Sequence, residues 1–213
     1  MKTDDLIAAL AAQPERVNTH AVEQRVGLAA MAGVGGAVVL MLAFFGLRPD
    51  LAQTVALGMF WVKLLFAAAV AAGGVAVVRQ LARPGRAAGR AAAALAVPVL
   101  VLWALALTVL AQAAPGDRLE LVLGSTWRSC PFNIALLSVP ALAGCFWAMR
   151  GAAPTRPALA GAAAGLLAGA LGALVYALHC PEMAAPFLAV WYLAGMALPT
   201  LLGAALGPRL LRW

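Results

Sequence analysis

Six long apolar runs divide this chain, and they constrain its fold more than any other feature. They cover approximately residues 26–46, 57–78, 93–113, 131–149, 158–178 and 187–207, each bounded by charged residues, proline or glycine. Each run reaches the roughly 20 residues that a helix needs to cross a lipid bilayer. With 64% hydrophobic and 11% charged residues, the chain has no stretch left for a separate soluble domain. The runs predict an all-α integral membrane protein surrounded by the lipid bilayer.

The positions of the basic residues predict which way the spans run. Six spans place both ends of the chain on the same side of the membrane. If that side is the cytoplasm, Arg48, Arg118 and Arg128 lie outside, Lys63 lies within a span, and every other lysine and arginine lies inside. This distribution follows the positive-inside rule and predicts an N-in/C-in topology.

Short connections make neighbouring spans antiparallel, so we expect a six-transmembrane-helix bundle of three antiparallel hairpins. Its parts are a cytosolic amino-terminal segment (1–25), the transmembrane domain (26–207) and a cytosolic carboxy-terminal tail (208–213). In the fifth and sixth spans, glycine or proline recurs at every fourth position, which favours close contact between helix backbones in lipid. These residues are Gly161, Gly165 and Gly169, followed by Gly195, Pro199, Gly203 and Gly207.

Charge distribution and histidine positions argue against two function classes. The formal net charge is +7, but the basic residues fall in short clusters between apolar runs, where they act as topology signals. We therefore expect no direct binding of nucleic acid. His20 and His179 fall on opposite sides of the membrane, and neither an H-E-x-x-H nor a G-x-S-x-G motif occurs, so we expect no enzyme.

Lys63, in the stretch GMFWVKLLF, is the charged residue placed clearly inside a predicted span. Charges within the membrane often mark functional sites, but Lys63 is about two turns from the outer end of its span. We expect its side chain to snorkel toward the outer surface or to form a structural ion pair. Cys145, in the fourth span, is expected to be buried as a small apolar residue.

Two Cys-Pro pairs, at Cys130 and Cys180, fall on the predicted outer side together with His179, Glu182 and Met183. A structural disulfide is the usual role of two cysteines in an oxidising compartment. Thiolate and imidazole groups also bind soft or borderline metal ions. Cys130, Cys180 and His179 are therefore candidate metal ligands of a sensor, and the two cysteines alone are candidates for a redox sensor. Unpaired packing thiols are a third alternative.

The inner amino-terminal segment contains a predicted short helix with a mixed surface. Asp4 and Asp5 suit the positive first turn of a helix, and Leu6, Ile7 and Leu10 form an apolar stripe beside them. A helix this short is marginal alone and needs a surface to pack on. The membrane surface is one such partner, but amphipathic membrane helices usually carry basic polar faces. A basic, groove-bearing cytosolic protein fits the two acids better, so these five residues are candidates for partner binding.

Several motifs resemble those of a known family. They are MKTDDLIAAL at the start, W-x-x-C-P at residues 127–131, LSVPAL, RGAAPTRPALAGAAAGLLAGALGALVYALHCPE, PF-x-x-x-WY and the terminal GPRLLRW. Together they resemble the NrsF-type proteins, six-span proteins of the bacterial inner membrane named as negative regulators of sigma-F. The resemblance covers nearly the whole chain and is densest from residue 127 onward.

The resemblance implies an anti-sigma factor that holds an extracytoplasmic-function sigma factor at the membrane and releases it under heavy-metal or oxidative stress. It also implies a sensing role for Cys130 and Cys180 and capture of the sigma factor on the cytosolic face, with the amino-terminal segment as the contact. No resident cofactor is expected, only a transient soft-metal ion at the cysteines. Two rival functions stay open: a small transporter or metal-handling protein, and a structural membrane scaffold with one periplasmic disulfide.

Overall fold

The computed structural model describes residues 3–12, 20–83, 85–86, 88–152 and 154–212, and the regular structure in these ranges is helical. The helices are α1 (Thr3–Ala11), α2 (Ala21–Phe44), α3 (Leu51–Thr54), α4 (Gly58–Leu81), α5 (Gly89–Ala94), α6 (Ala96–Gln112), α7 (Arg118–Leu123), α8 (Cys130–Arg150), α9 (Pro157–Tyr176), α10 (Ala185–Phe187), a π turn (Leu188–Tyr192) and α11 (Leu193–Leu210). Within these described ranges, six helical stretches are long and apolar enough to cross a membrane: α2, α4, α5 with α6, α8, α9, and α10 with the π turn and α11. This confirms the predicted helical class and the six candidate spans.

The first long helix begins earlier than the hydropathy of the sequence predicts. α2 starts at Ala21, whereas the first apolar run starts near residue 26. The helix continues into polar sequence because backbone hydrogen bonds such as that from the N–H of Gln24 to the carbonyl oxygen of His20, at 2.9 Å, do not require apolar side chains. Glu23 lies in its first turn, where a negative charge is favourable, and its carboxylate contacts His20 at 3.1 Å and Arg83 at 3.5 Å.

α9 lies at the centre of the bundle, in contact with α2, α4, α8 and α11. Alanine and glycine make up much of this helix, and most of its side chains are buried. Its glycines let α11 approach closely: a Cβ on Gly161 would collide with the carbonyl oxygen of Gly203, and one on Gly165 would collide with that of Pro199. The contact confirms the close backbone packing that the glycine pattern predicts.

The three-hairpin arrangement is not confirmed by the packing. α2 packs along α8, where Gly33 meets the backbone of Ala141, and it barely touches α4, its predicted hairpin partner. The third candidate span, α5 with α6, lies at the edge of the bundle and buries few of its residues. The physical reason is that lipid tails are as apolar as the helices, so pairing depends on how small residues fit and not on order in the chain.

Consecutive long helices run in opposite directions, so the connections alternate between two ends of the bundle. The connections at residues 45–57, 113–129 and 177–184 meet at one end, which we call the cysteine end. At the opposite end, α4, α8 and α11 each carry an arginine in the last turn. Lys2 and Arg16, two of the residues that predict topology, lie outside the described residues.

Candidate functional site

The two cysteines that the sequence singled out meet at the cysteine end of the bundle. Cys130 is the first residue of α8, and Cys180 lies in the connection that follows α9. Both side chains are fully buried, and both are free thiols instead of the disulfide that residue types alone favoured. The two thiol groups lie within hydrogen-bonding reach of each other. Cys145 is buried further along α8, as the sequence predicted.

The surroundings of Cys180 favour its thiolate. The hydrogen bond with Cys130 lowers the pKa of Cys180 to about 6, and the positive charge of Lys63 and the backbone of Glu182 act in the same direction, against the effect of burial. A thiolate attacks oxidants and binds soft metal ions, whereas a protonated thiol does both poorly. Cys180 is therefore the candidate reactive sulfur, and Cys130 is the donor that supports it.

Lys63 is fully buried and points into the cysteine end. Its Nζ donates hydrogen bonds to the carbonyl oxygens of Cys180 and Glu182, each at 2.9 Å. The ring centroid of Tyr192 lies 5.4 Å from the same ammonium, close enough for a cation–π interaction. Helical side chains tilt toward the start of their helix, so this lysine reaches the end where α4 begins. The predicted snorkelling to the outer surface is wrong, because protein encloses the ammonium group.

A second cation, Arg48, lies in the connection after α2 and binds the same segment, the main chain of residues 180–182. Its Nη1 donates to the carbonyl oxygen of Cys180 at 3.3 Å. Its Nε and Nη2 donate to the two carboxylate oxygens of Asp50 at 2.7 and 2.6 Å. The hydrogen bonds from Arg48 lower the pKa of Asp50, so this pair stays charged at neutral pH. The carbonyl oxygen of Cys180 is thus bound by two cationic side chains.

The carboxylate of Glu182 ties the segment to the turn that leads into α8. Its Oε1 accepts hydrogen bonds from the backbone N–H of Ser125 at 2.8 Å and its hydroxyl at 2.7 Å, and from the same groups of Thr126 at 3.1 and 3.2 Å. Gly124 has a φ of 56°, and a Cβ there would lie 2.6 Å from Oε2 of Glu182. Both the backbone and the close approach therefore require glycine. The carbonyl oxygen of Thr126 in this turn accepts a hydrogen bond from the backbone N–H of Cys130 at 2.9 Å, so Glu182 helps to set the position of Cys130 relative to Cys180.

His179 contacts the start of the connection that follows α2. Its Nδ1 donates to the carbonyl oxygen of Gly46 at 3.0 Å, and its ring centroid lies 5.4 Å from that of Phe45 and 5.8 Å from that of Tyr176. Among the described residues, no group of three or more His, Cys, Asp or Glu side chains is arranged to hold a metal ion. The structure brings the two cysteines together without His179, whose role as a metal ligand stays a prediction.

Tyr192 reaches the cysteine pair from the sixth span. It ends the π turn, a feature that often occurs at functional sites, and its side chain is fully buried. Its hydroxyl faces the sulfur of Cys180 but makes no well-formed hydrogen bond within the described part of the chain. An unsatisfied buried hydroxyl is costly, and a thiolate at Cys180 would be a stronger acceptor for it than a thiol.

The predicted partner-binding residues lie on α1. Asp4 and Asp5 occupy its first turn, and Leu6 and Ile7 are 42% and 59% exposed. Leu10 lies in the same helix. α1 thus presents acidic and aliphatic side chains together on an exposed surface.

Sequence reasoning missed Arg48, Tyr192 and the turn at Ser125 and Thr126 as parts of the site. Their contacts join positions that are far apart in the chain, so no local motif marks them. The available signals were weak: an arginine on the predicted outer side, which has few basic residues, and an acid next to the second Cys-Pro pair.

The whole chain is similar to known proteins of one family. The family described as negative regulator of sigma F, NrsF, matches residues 10–213, which include both cysteines of the site. The chain belongs to the NrsF family. It is 50% identical over 213 residues to the "Probable anti-sigma-F factor NrsF" of Azospira oryzae and 43% identical over 219 residues to the "Anti-sigma-F factor NrsF" of Caulobacter vibrioides, in each case over the full length of both chains. No solved structure matches. Membership of the NrsF family confirms the resemblance carried by the sequence motifs and indicates a regulatory role.

Proposed function

We propose that this protein is an anti-sigma factor of the bacterial inner membrane that holds an extracytoplasmic-function sigma factor on its cytosolic face. It releases this partner when Cys130 and Cys180 are oxidised or bind a soft metal ion. The observation that carries the proposal is the contact between two buried thiols where α8 begins and the connection after α9 crosses it. The names of two full-length relatives, both anti-sigma-F factors, support the partner class.

The arginines support the orientation. They end α4, α8 and α11 at the end of the bundle opposite the cysteines, and positive charge favours the cytoplasmic side. The cysteine end then faces the periplasm, an oxidising compartment in which thiol pairs are converted to disulfides. The amino-terminal segment, which precedes α2, enters the bundle at the arginine-bearing end.

α1 is the proposed contact for the sigma factor. It has nine residues, and a helix of this length is marginal in water without a surface to pack on. Leu6 and Ile7 supply exposed apolar area, while Asp4 and Asp5 suit a basic groove on the partner. Lipid alone would be expected to select basic residues beside the apolar ones.

The chemistry of the signal requires an oxidant or a soft metal ion. With hydrogen peroxide, Cys180 attacks one oxygen to give a sulfenic acid and Cys130 then displaces water from it, so two thiols and one peroxide yield one disulfide and two waters. A soft metal ion such as Cu(I) would instead bind the two sulfurs and displace their protons. Either product changes the volume and bonding of a close-packed, buried pair, which forces its neighbours to move.

α8 and α2 offer a direct route between the two ends of the bundle. α8 begins at Cys130, and Gly144 and Gly151 near its other end lie against Ala29 and the guanidinium of Arg25 in α2. The amino-terminal segment that carries α1 leads directly into the start of α2. To change the partner from almost fully bound to almost fully free, the signal must favour the releasing state of the bundle over the binding state by on the order of 5 kcal/mol. Forming a disulfide or a metal–thiolate bond is of that order.

Affinity purification of the tagged full chain from its native host tests the partner and its contact. Leu6→Ser with Ile7→Ser should lose the sigma factor, because the apolar contact is removed. Ala8→Ser with Ala9→Ser changes exposed positions of the same helix and should retain it. Equal recovery with both double variants would refute α1 as the contact. Absence of any sigma factor with the parent chain would refute the function.

Substitution of the cysteines tests the sensor separately. Cells that carry Cys130→Ser or Cys180→Ser should keep the sigma factor bound during peroxide or metal stress, because the pair can no longer close. Release to the same extent as in the parent would show that the signal enters elsewhere.

A further inference from the structure

We propose that Lys63 is a positioning residue for the cysteine pair: it clamps the chain around Cys180 and Glu182 to α4 and so holds the sulfur of Cys180 against that of Cys130. This inference rests on the proposed sensing function and adds to it a residue from a different span. Within the described part of the chain no acid forms an ion pair with Lys63, whereas two main-chain carbonyl oxygens accept hydrogen bonds from it.

The main chain wraps around the ammonium group. Nζ of Lys63 donates to the carbonyl oxygens of Cys180 and Glu182 at 2.9 Å each, which brackets the proline between them. Because the first acceptor belongs to Cys180 itself, a shift of the ammonium would shift the adjacent sulfur with it. The ring of Tyr192 lies against the same ammonium, at 5.4 Å, and fixes it from the sixth span.

The opposite side of the segment is tied to the turn before Cys130. Glu182 accepts four hydrogen bonds there from Ser125 and Thr126. The same residue therefore gives its carbonyl oxygen to Lys63 and its carboxylate to the turn. Lys63 is the link that keeps the cysteine-bearing segment pressed toward α8, where Cys130 begins the helix.

The burial of the charge makes this link specific. Lys63 is fully enclosed, and a buried ammonium is tolerated only where its hydrogens find acceptors. An apolar side chain of equal length would fill the space but donate nothing, leaving the carbonyl oxygen of Glu182 without this donor. The segment would then keep only the longer, 3.3 Å hydrogen bond from Arg48 to Cys180 and the contacts of the Glu182 carboxylate with the turn, so the two sulfurs would come together less often.

Oxidation of the purified full chain in mild detergent tests this, in a Cys145→Ala background so that only the pair reacts. Disulfide formation with hydrogen peroxide is followed by mass spectrometry after thiol trapping, without any sigma factor. Lys63→Met should slow the reaction about tenfold, since small misplacements of reacting groups cost this much or more. Lys63→Arg, which keeps the charge and the donors but in a larger, planar group, should recover part of the rate and react faster than Lys63→Met.

Gly74→Ala is the matched control. It disturbs the contact of α4 with α9, since the added Cβ would lie 3.2 Å from Leu167, at a point about 16 Å along the helix from Lys63. It should lower thermal stability and leave the oxidation rate unchanged. If Lys63→Met does not fold, Lys63→Leu, which also lacks a donor, takes its place, with the same slowing expected.

Oxidation of Lys63→Met or Lys63→Leu at the parent rate would overturn the inference, as would an equal slowing by Gly74→Ala. Failure of the proposed function has a different signature. In that case the disulfide forms in the parent and depends on Lys63, but its formation does not release the sigma factor.

Discussion

Replacement of Glu182 by alanine should destabilise the cysteine end by an amount that can be worked from its contacts. One carboxylate oxygen accepts four hydrogen bonds, at 2.7 to 3.2 Å, from Ser125 and Thr126. The two hydroxyls can turn to water after the substitution, so we count only the two backbone N–H donors. Hydrogen bonds to a charged group are worth roughly 1.5–3 kcal/mol each when buried, and partial exposure of this turn reduces them to about 1 kcal/mol each.

The expected loss is therefore about 2 kcal/mol for Glu182→Ala and about 1 kcal/mol for Glu182→Gln, which keeps a neutral acceptor. For a chain of this size, 2 kcal/mol corresponds to a fall of about 4–8 °C in the unfolding midpoint. Tryptophan fluorescence during heating in mild detergent is a suitable assay, because the ring centroids of Trp127 and Trp191 lie 5.3 Å apart beside this turn.

Glu120→Ala is the control, since Glu120 lines the same cleft as Glu182. Its midpoint should stay within about 2 °C of the parent, as expected for an exposed substitution. An unfolding midpoint for Glu182→Ala equal to that of Glu120→Ala would refute the role assigned to these hydrogen bonds. Combining Glu182→Ala with Ser125→Ala should add little further loss, because both remove the same contact.

Two further predictions concern the helix contact and the thiol pair. Gly165→Ala should cost about 1–3 kcal/mol, because its Cβ would collide with the carbonyl oxygen of Pro199, whereas Gly27→Ala, with no atom within 4 Å of the added Cβ, should be neutral or stabilising. The same thermal assay checks this, and equal midpoints would contradict it. Because the pKa of Cys180 is lowered to about 6, its thiolate persists as the pH falls, and peroxide should form the disulfide with Cys130 nearly as fast at about pH 7 as at about pH 8.5. A rate that drops about tenfold per pH unit over this range would show an ordinary thiol.

The helices could be predicted from the sequence because lipid imposes the same requirement on every span, about 20 apolar residues with internally satisfied backbone. The glycine pattern likewise predicted a tight contact, seen where Gly165 meets Pro199. The pairing of α2 with α8 could not be predicted, because it depends on how Gly33 fits against Ala141 and not on the order of spans.

The site could be predicted only in part. The placement of Cys130 and Cys180 at one end follows from counting spans, and the structure brings them into contact. The position of the Lys63 ammonium does not follow, since its acceptors are 117 and 119 residues further along the chain. Snorkelling assumes a side chain that faces lipid, and a helix that is apolar all round gives no signal of which face is buried.

The most direct test of the central claim is the affinity of the full chain for its sigma factor with the cysteine pair fully reduced and fully oxidised. Fluorescence anisotropy with labelled sigma factor and protein in lipid nanodiscs would measure it, with the disulfide between Cys130 and Cys180 verified by mass spectrometry. We predict tight binding by the reduced form and at least about a hundredfold weaker binding by the oxidised form, a difference of about 2.7 kcal/mol. Equal affinities of the two forms would contradict a sensor built on this pair.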